Sequence, residues 1–185
     1  MSNELETRDL AFTDLELREE LDGHHLKGII APFSSTYDTG SYIEQFSSSA
    51  FDKSVAERGD RIPLLEQHDR SRHPVGMSIK EGWVKDASGL VADFLLAPTA
   101  RGQETRELAA SGMVTGLSVG FRPIRNKTET REGRKHVTRI ETYLDHVAVT
   151  HQPAYGDAQI IDVRNFDPDD ETLVPRLSYW RYLMK

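Results

Sequence analysis

Leu117, Val119 and Phe121 alternate with Ser118 and Gly120 inside the run Gly112-Met113-Val114-Thr115-Gly116-Leu117-Ser118-Val119-Gly120-Phe121-Arg122. A period of two marks a β-strand with one buried face. It sends the bulky residues to a core and Ser118 to the opposite face. Gly116 and Gly120 carry no Cβ, so another backbone or a substrate can approach closely there. A hydroxyl on a rigid strand with cleared space around it is a seat for a nucleophile, and equally for a solvated serine.

Other short apolar runs repeat the pattern. Phe12–Glu20 reads as a strand and His25–Ala31 as its hairpin partner across the Asp22-Gly23 turn, with Pro32 ending the ladder. Ser34–Ser49 is loop-like and holds Tyr42-Ile43-Glu44-Gln45-Phe46. Phe51 and Val55 have helical spacing within Ser49–Arg58. Arg61–Leu65, Val75–Ile79, Gly82–Lys85 and Gly89–Leu96 are further strands. Thr99–Ala110 is a helix that stops at Gly112. Arg125–Thr138 is charged and turn-like, an exposed hairpin tip or a loop. Ile140–Val149 is one or two strands, and Ala158–Ile161 a short element. There is no internal repeat and no βαβ unit with a Gly-rich phosphate loop. About eight strands with two or three helices predict a mainly β fold with flanking helices, an α+β barrel or sandwich.

Residues 1–11 read as a flexible polar lead, 12–161 as the folded domain, and 162–185 as an acidic linker followed by a C-terminal amphipathic tail. The tail, with Tyr179, Trp180, Tyr182 and Leu183 at near-helical spacing, either packs on the domain or docks a partner. The net charge of −7, from 30 acidic and 23 basic residues, and the lack of a basic block argue against a dedicated nucleic-acid binder. With no cysteine, disulfides, thiol catalysis and cysteine zinc sites are excluded. No apolar run approaches the ~20 residues of a membrane span. The acidic N-terminus does not resemble a signal peptide, so a soluble cytoplasmic protein is expected.

Hydrolysis of a peptide bond without metal or thiol needs a hydroxyl, a base and a group to orient the base. His68 ends the apolar run Leu64-Leu65-Glu66-Gln67-His68-Asp69, and an imidazole titrates near ~6.5. Asp145 sits inside the apolar run Tyr143–Val149, where a carboxylate is costly to bury unless paired, and it is the expected orienter of His68. On a regular strand its neighbour His146 faces the other way, so one of the two is expected at the site. The seven histidines show neither a His-x-x-x-His pair nor His-Glu-x-x-His, so no metal is expected.

Taken in order, Gly28–Phe33, Tyr42–Phe46, Pro63–Asp69 with Pro74-Val75-Gly76, Gly112–Phe121, and Val147–Tyr155 with Ala158 resemble the prohead (capsid maturation) proteases of tailed phages. The likeness spans Gly23–Ile161. That family is similar to the herpesvirus assemblins, which implies a closed, assemblin-like β-barrel flanked by helices. It implies a serine endopeptidase without cofactor, with Ser118 as nucleophile, His68 as general base and Asp145 as third member. Assemblins use a histidine there, so His146 competes. The chain departs from the family at His146-Val147-Ala148-Val149 and at Ser48-Ser49-Ala50-Phe51. The resemblance further implies the major capsid protein and the scaffold protein as substrates, self-cleavage, a possible homodimer, and action inside the assembling prohead in the host cytoplasm. Two other readings remain: a non-enzymatic assembly module on the same fold, and a metal-dependent hydrolase. Arg122 and Arg125 are candidates for positive charge near an oxyanion.

Overall fold

The structure is a computed structural model that describes residues 23–164. The expected lead, the Phe12–Glu20 strand and the C-terminal tail lie outside the described residues. In chain order the elements are β1 (His25–Pro32), β2 (Tyr37–Asp38), β3 (Ile43–Phe46), α1 (Asp52–Arg58), β4 (Pro63–Glu66) and β5 (Gly76–Ser78). They continue with β6 (Val84–Lys85), β7 (Gly89–Leu96), α2 (Ala100–Ala110), β8 (Gly116–Arg131), β9 (Arg134–Thr150) and β10 (Ile160–Arg164). Among the described residues the fold is mainly β with two α-helices, in line with the sequence expectation. β10 takes in residues 162–164, the expected start of the linker.

The helix ends follow local chemistry. The Thr99 hydroxyl accepts from Gly102 N–H at 3.2 Å and caps α2. Gly112 closes α2 at φ +74°, a left-handed conformation that glycine adopts without a Cβ penalty. Ile43–Phe46 forms strand β3 where a loop was expected, because it finds a parallel partner in His136–Arg139. The charged stretch after Arg125 is a hairpin: the β8–β9 ladder runs to Arg131↔Arg134 and turns at Glu132-Gly133.

The strands follow the order β10-β1-β7-β5-β4-β9-β3-β2, with β8 on β9 and β6 on β7. These ladders make an open sheet, not the closed barrel expected. β10 pairs with β1, and only a bridge between Gly116 and Gln159 joins the start of β8 to the segment before it. Leu26, Ile30, Leu64, Phe94, Leu117, Leu144 and Val147 are sealed in one core, with Phe121 edge-on to the rings of Phe46 and Phe51.

β9 organises the functional half of the sheet. Ala148 pairs with Ser118 of β8 and with Leu65 of β4, so β8 and β4 lie on opposite edges of β9. Between its pairings with β3 and β4, β9 has no strand partner on that edge, and α1 fills the gap. Thr142 N–H donates to Ala50 O at 2.8 Å, Leu144 N–H to the Ser54 hydroxyl at 2.9 Å, and that hydroxyl to Thr142 O at 3.0 Å. Buried backbone groups are thereby satisfied by side chain and loop instead of a ladder.

Candidate active site

Ser118 stands on the face of β8 away from the core. Leu117 is fully buried, and Val119 and Phe121 pack on the core cluster. Ser118 and Gly120 therefore share the other face, which they share in turn with their cross-strand partners Ala148 and His146. Ala148, fully buried, sits between Ser118 on β8 and Leu65 on β4.

The β8–β9 register shifts between Gly120 and Phe121: Gly120 faces His146, whereas Phe121 faces Leu144. Asp145 is the extra residue of a β-bulge. Leu144 and Val147 are both fully buried although three apart, so the parity of β9 flips between them. Asp145 and His146 consequently emerge on the same side. The expectation that only one of them would face the site rested on a regular strand, and the bulge overturns it.

The His146 ring lies over Gly120. A Cβ on Gly120 would stand 2.1 Å from Cε1, 2.4 Å from Nε2 and 2.5 Å from Nδ1 of that ring. Gly120 is thus a matter of space, and its φ is unexceptional.

His68 follows the end of β4 and takes φ 60°, next to Gln67 at φ 49°. Its Nδ1 lies 2.8 Å from His146 Nε2. His146 Nδ1 lies 2.9 Å from Asp145 Oδ2, which also accepts from the Arg70 guanidinium. The structure therefore sets His146 directly against His68, and Asp145 one hydrogen bond further out. An ionised carboxylate only accepts, so His146 carries its proton on Nδ1 and donates it to Asp145. Nε2 of His146 is then an acceptor, and His68 must donate from its own Nδ1. That leaves the His68 Nε2 lone pair unprotonated, the form a general base requires.

The charges agree with this arrangement. Burial, and after it the charge of His146, hold the His68 pKa below its ordinary value. Burial alone would raise the Asp145 pKa. The hydrogen bond from His146 and the Arg70 charge outweigh it, and the carboxyl stays below its usual range. At neutral pH the result is a neutral His68 and an anionic Asp145.

A cavity of about 180 Å³ borders β8 on the side of its core residues, lined by Leu117, Val119, Phe121, Tyr155 and the buried Glu44 carboxylate as well as by Ser118. Arg122 stacks on the Tyr143 ring at 4.4 Å, and Arg125 meets Glu141 at 4.0 Å. Among the described residues no three His, Cys, Asp or Glu side chains gather as a metal site. His25 is spent on Asp93 at 3.0 Å.

Sequence reasoning did not find Arg70 or the steric role of Gly120. The bulge did leave a mark: Leu144 and Val147 flank two polar residues, a spacing that breaks the alternation of a plain strand.

A family model described as "Caudovirus prohead serine protease" matches residues 13–171. No curated protein matches the chain. Among solved structures, that of KSHV protease in complex with a hexapeptide phosphonate inhibitor aligns with a TM-score of 0.46 and 14% identity. The alignment covers 85% of this chain and 70% of that one.

Proposed function

The chain belongs to the caudovirus prohead serine protease family, and we propose that it is an endopeptidase in which Ser118 is the nucleophile, His68 its base and His146 the group that orients the base. Asp145, held by Arg70, fixes the tautomer of His146. The single observation that carries this reading is the hydrogen-bonded series His68–His146–Asp145–Arg70 on the sheet face that bears Ser118.

The reaction follows the chemistry of those groups. His68 Nε2 takes the Ser118 proton as Oγ attacks the scissile carbonyl carbon. The imidazolium is stabilised through His146 by the Asp145 carboxylate. His68 then returns the proton to the leaving amine as the C–N bond breaks, leaving an acyl-Ser118. A water, deprotonated by the same ring, releases the acid and restores the serine.

The substrates in this reading are scaffold protein and the scaffold-like portion of the major capsid protein within the assembling prohead, and the protease itself. Co-expression with those proteins, followed by intact-mass measurement, tests it. Wild type yields defined fragments that Ser118→Ala and His68→Ala do not. The same fragments in all three proteins would move catalysis off this pair. No fragments from any of them would return the chain to the assembly-module reading.

A further inference from the structure

We propose that Gln67 is a positioning residue for the base: its side-chain amide clamps the strained turn that aims the His68 ring at His146. The inference rests on the proposed role of His68.

Three non-glycine residues among those described take positive φ: Gln67 at 49°, His68 at 60° and Glu132 at 51°. Glu132 sits beside Gly133 in the tight turn of the β8–β9 hairpin, where such torsions are ordinary. Gln67 and His68 are two successive left-handed residues with full side chains, directly after a strand. Such torsions persist only where surrounding bonds over-determine them.

The bonds that do so converge on Gln67. Its N–H donates to Val149 O at 3.0 Å, which extends the β4–β9 pairing by one residue. Asp69 N–H donates to Glu66 O at 2.8 Å and closes the turn. The Gln67 amide oxygen accepts from the Thr150 hydroxyl at 3.0 Å, and its Nε2 lies 3.2 Å from His151 Nδ1. Thr150 Oγ also accepts from Gln152 N–H at 3.1 Å, so that hydroxyl is itself fixed and its one proton is directed at Gln67. These contacts set the amide orientation: oxygen toward Thr150, nitrogen toward His151.

Glu66, on the other flank, is held by Arg101 and by the Thr105 hydroxyl. That anchors the end of β4, where the turn begins. The side chain of Gln67 adds a second tie between the turn and the end of β9, the strand that carries His146, beside its backbone bond to Val149 O. Base and orienting histidine are thereby referenced to one strand.

The test uses the full chain with Gln67→Ala, Gln67→Gly, Thr150→Val and Thr150→Ser, beside wild type and Ser118→Ala. Two quantities are read: kcat and KM on a cleaved substrate, and the low-field proton NMR resonance of the imidazole N–H shared by His68 and His146. Gln67→Ala and Thr150→Val are expected to lower kcat about 10- to 100-fold, because misplacement of a reacting group by ~1 Å costs on that order. KM should change by less than about twofold, since the substrate is not touched. Thr150→Ser keeps the hydroxyl and should recover most of what Thr150→Val loses. The low-field resonance should weaken in Gln67→Ala and Thr150→Val and persist in Thr150→Ser and Ser118→Ala. Gln67→Gly accepts the torsion freely but lacks the clamp, so it should behave as Gln67→Ala does. Unchanged kcat and resonance in Gln67→Ala, with Ser118→Ala inactive, would overturn the inference, as would full activity of Gln67→Gly. If Ser118→Ala still cleaved, the serine reading would fail instead, and the resonance would still judge Gln67.

Discussion

Gly120→Ala isolates the part His146 plays. The added methyl carbon would stand 2.1–2.5 Å from three atoms of the imidazole, whereas ordinary contact begins at 3.4 Å. Gly120 is not at positive φ, so alanine fits the backbone and the conflict lies with the ring alone. The ring must retreat by more than about 1 Å, which carries Nε2 out of the 2.8 Å bond to His68. A displacement of that size costs roughly 10²-fold in rate. Full loss of tautomer control in a serine protease costs about 10⁴-fold. The expected fall in kcat is therefore about 10²–10⁴, equivalent to ~3–5 kcal/mol of transition-state stabilisation. The assay is kcat on the processed substrate, with a thermal melt to confirm folding. A double-mutant cycle sharpens it: in a His146→Ala background there is no ring to displace, so Gly120→Ala should cost almost nothing more. Wild-type kinetics in folded Gly120→Ala, or full additivity with His146→Ala, would refute the reasoning.

Further expectations follow from the same geometry. The His68 pKa is lowered, so its base form persists below the ordinary histidine value; the acid limb of kcat/KM should fall at a pH under ~6.5, and a limb above 7 would contradict this. The same shift favours the folded state above about pH 6.5, with that contribution lost as pH drops through the lowered pKa; a urea titration at several pH values checks the sign. Arg139 donates to buried Glu44 at 2.7 Å and to Tyr42 and Asn126, so Arg139→Met strands a buried carboxylate and should lose about 3–5 kcal/mol in denaturant unfolding; a loss under ~1 kcal/mol would show the pair to be dispensable. Ser54→Ala orphans the Leu144 N–H beside the bulge and should cost about 1–3 kcal/mol by the same measurement. A serine-directed acylating reagent should modify Ser118 and stop cleavage that a chelator leaves untouched; the reverse would favour the metal-dependent hydrolase.

Much of the fold was legible because its cues are local. The alternation in β8 and the Thr99 and Gly112 ends of α2 depend on neighbours in sequence. Ser118 and His68 stood out as candidates from a strand face and from the end of an apolar run, and only the family resemblance singled them out from other polar residues on strands. The relation of Asp145 to His146 was not, because a bulge is defined against a partner strand. Only the pairing of Gly120 with His146 and Phe121 with Leu144 shows which residue is extra. The strand β3 was hidden for a similar reason, since its partner lies about 90 residues further along the chain. The closed barrel was expected from resemblance and not from a residue pattern, and the ladders stop short of it at Gly116.

The bulge also explains how so short an apolar stretch builds the site. A regular strand would send Asp145 and His146 to opposite faces, and a second element would have to supply the carboxylate. With one extra residue, a single strand delivers both the ring that meets His68 and the carboxylate that meets that ring, the two roles the proposed mechanism asks of them. β8 and β4 then need only correct register on the two edges of that strand to bring Ser118 and His68 to it. A slip of β8 by one residue would turn Ser118 into the core and face a larger residue toward His146. Gly120 forbids that slip from the other side, because no other residue of β8 between Leu117 and Phe121 leaves room for the ring. In the proposed site, register and the placing of the base thus depend on the same contact, the imidazole of His146 over a residue that has no side chain.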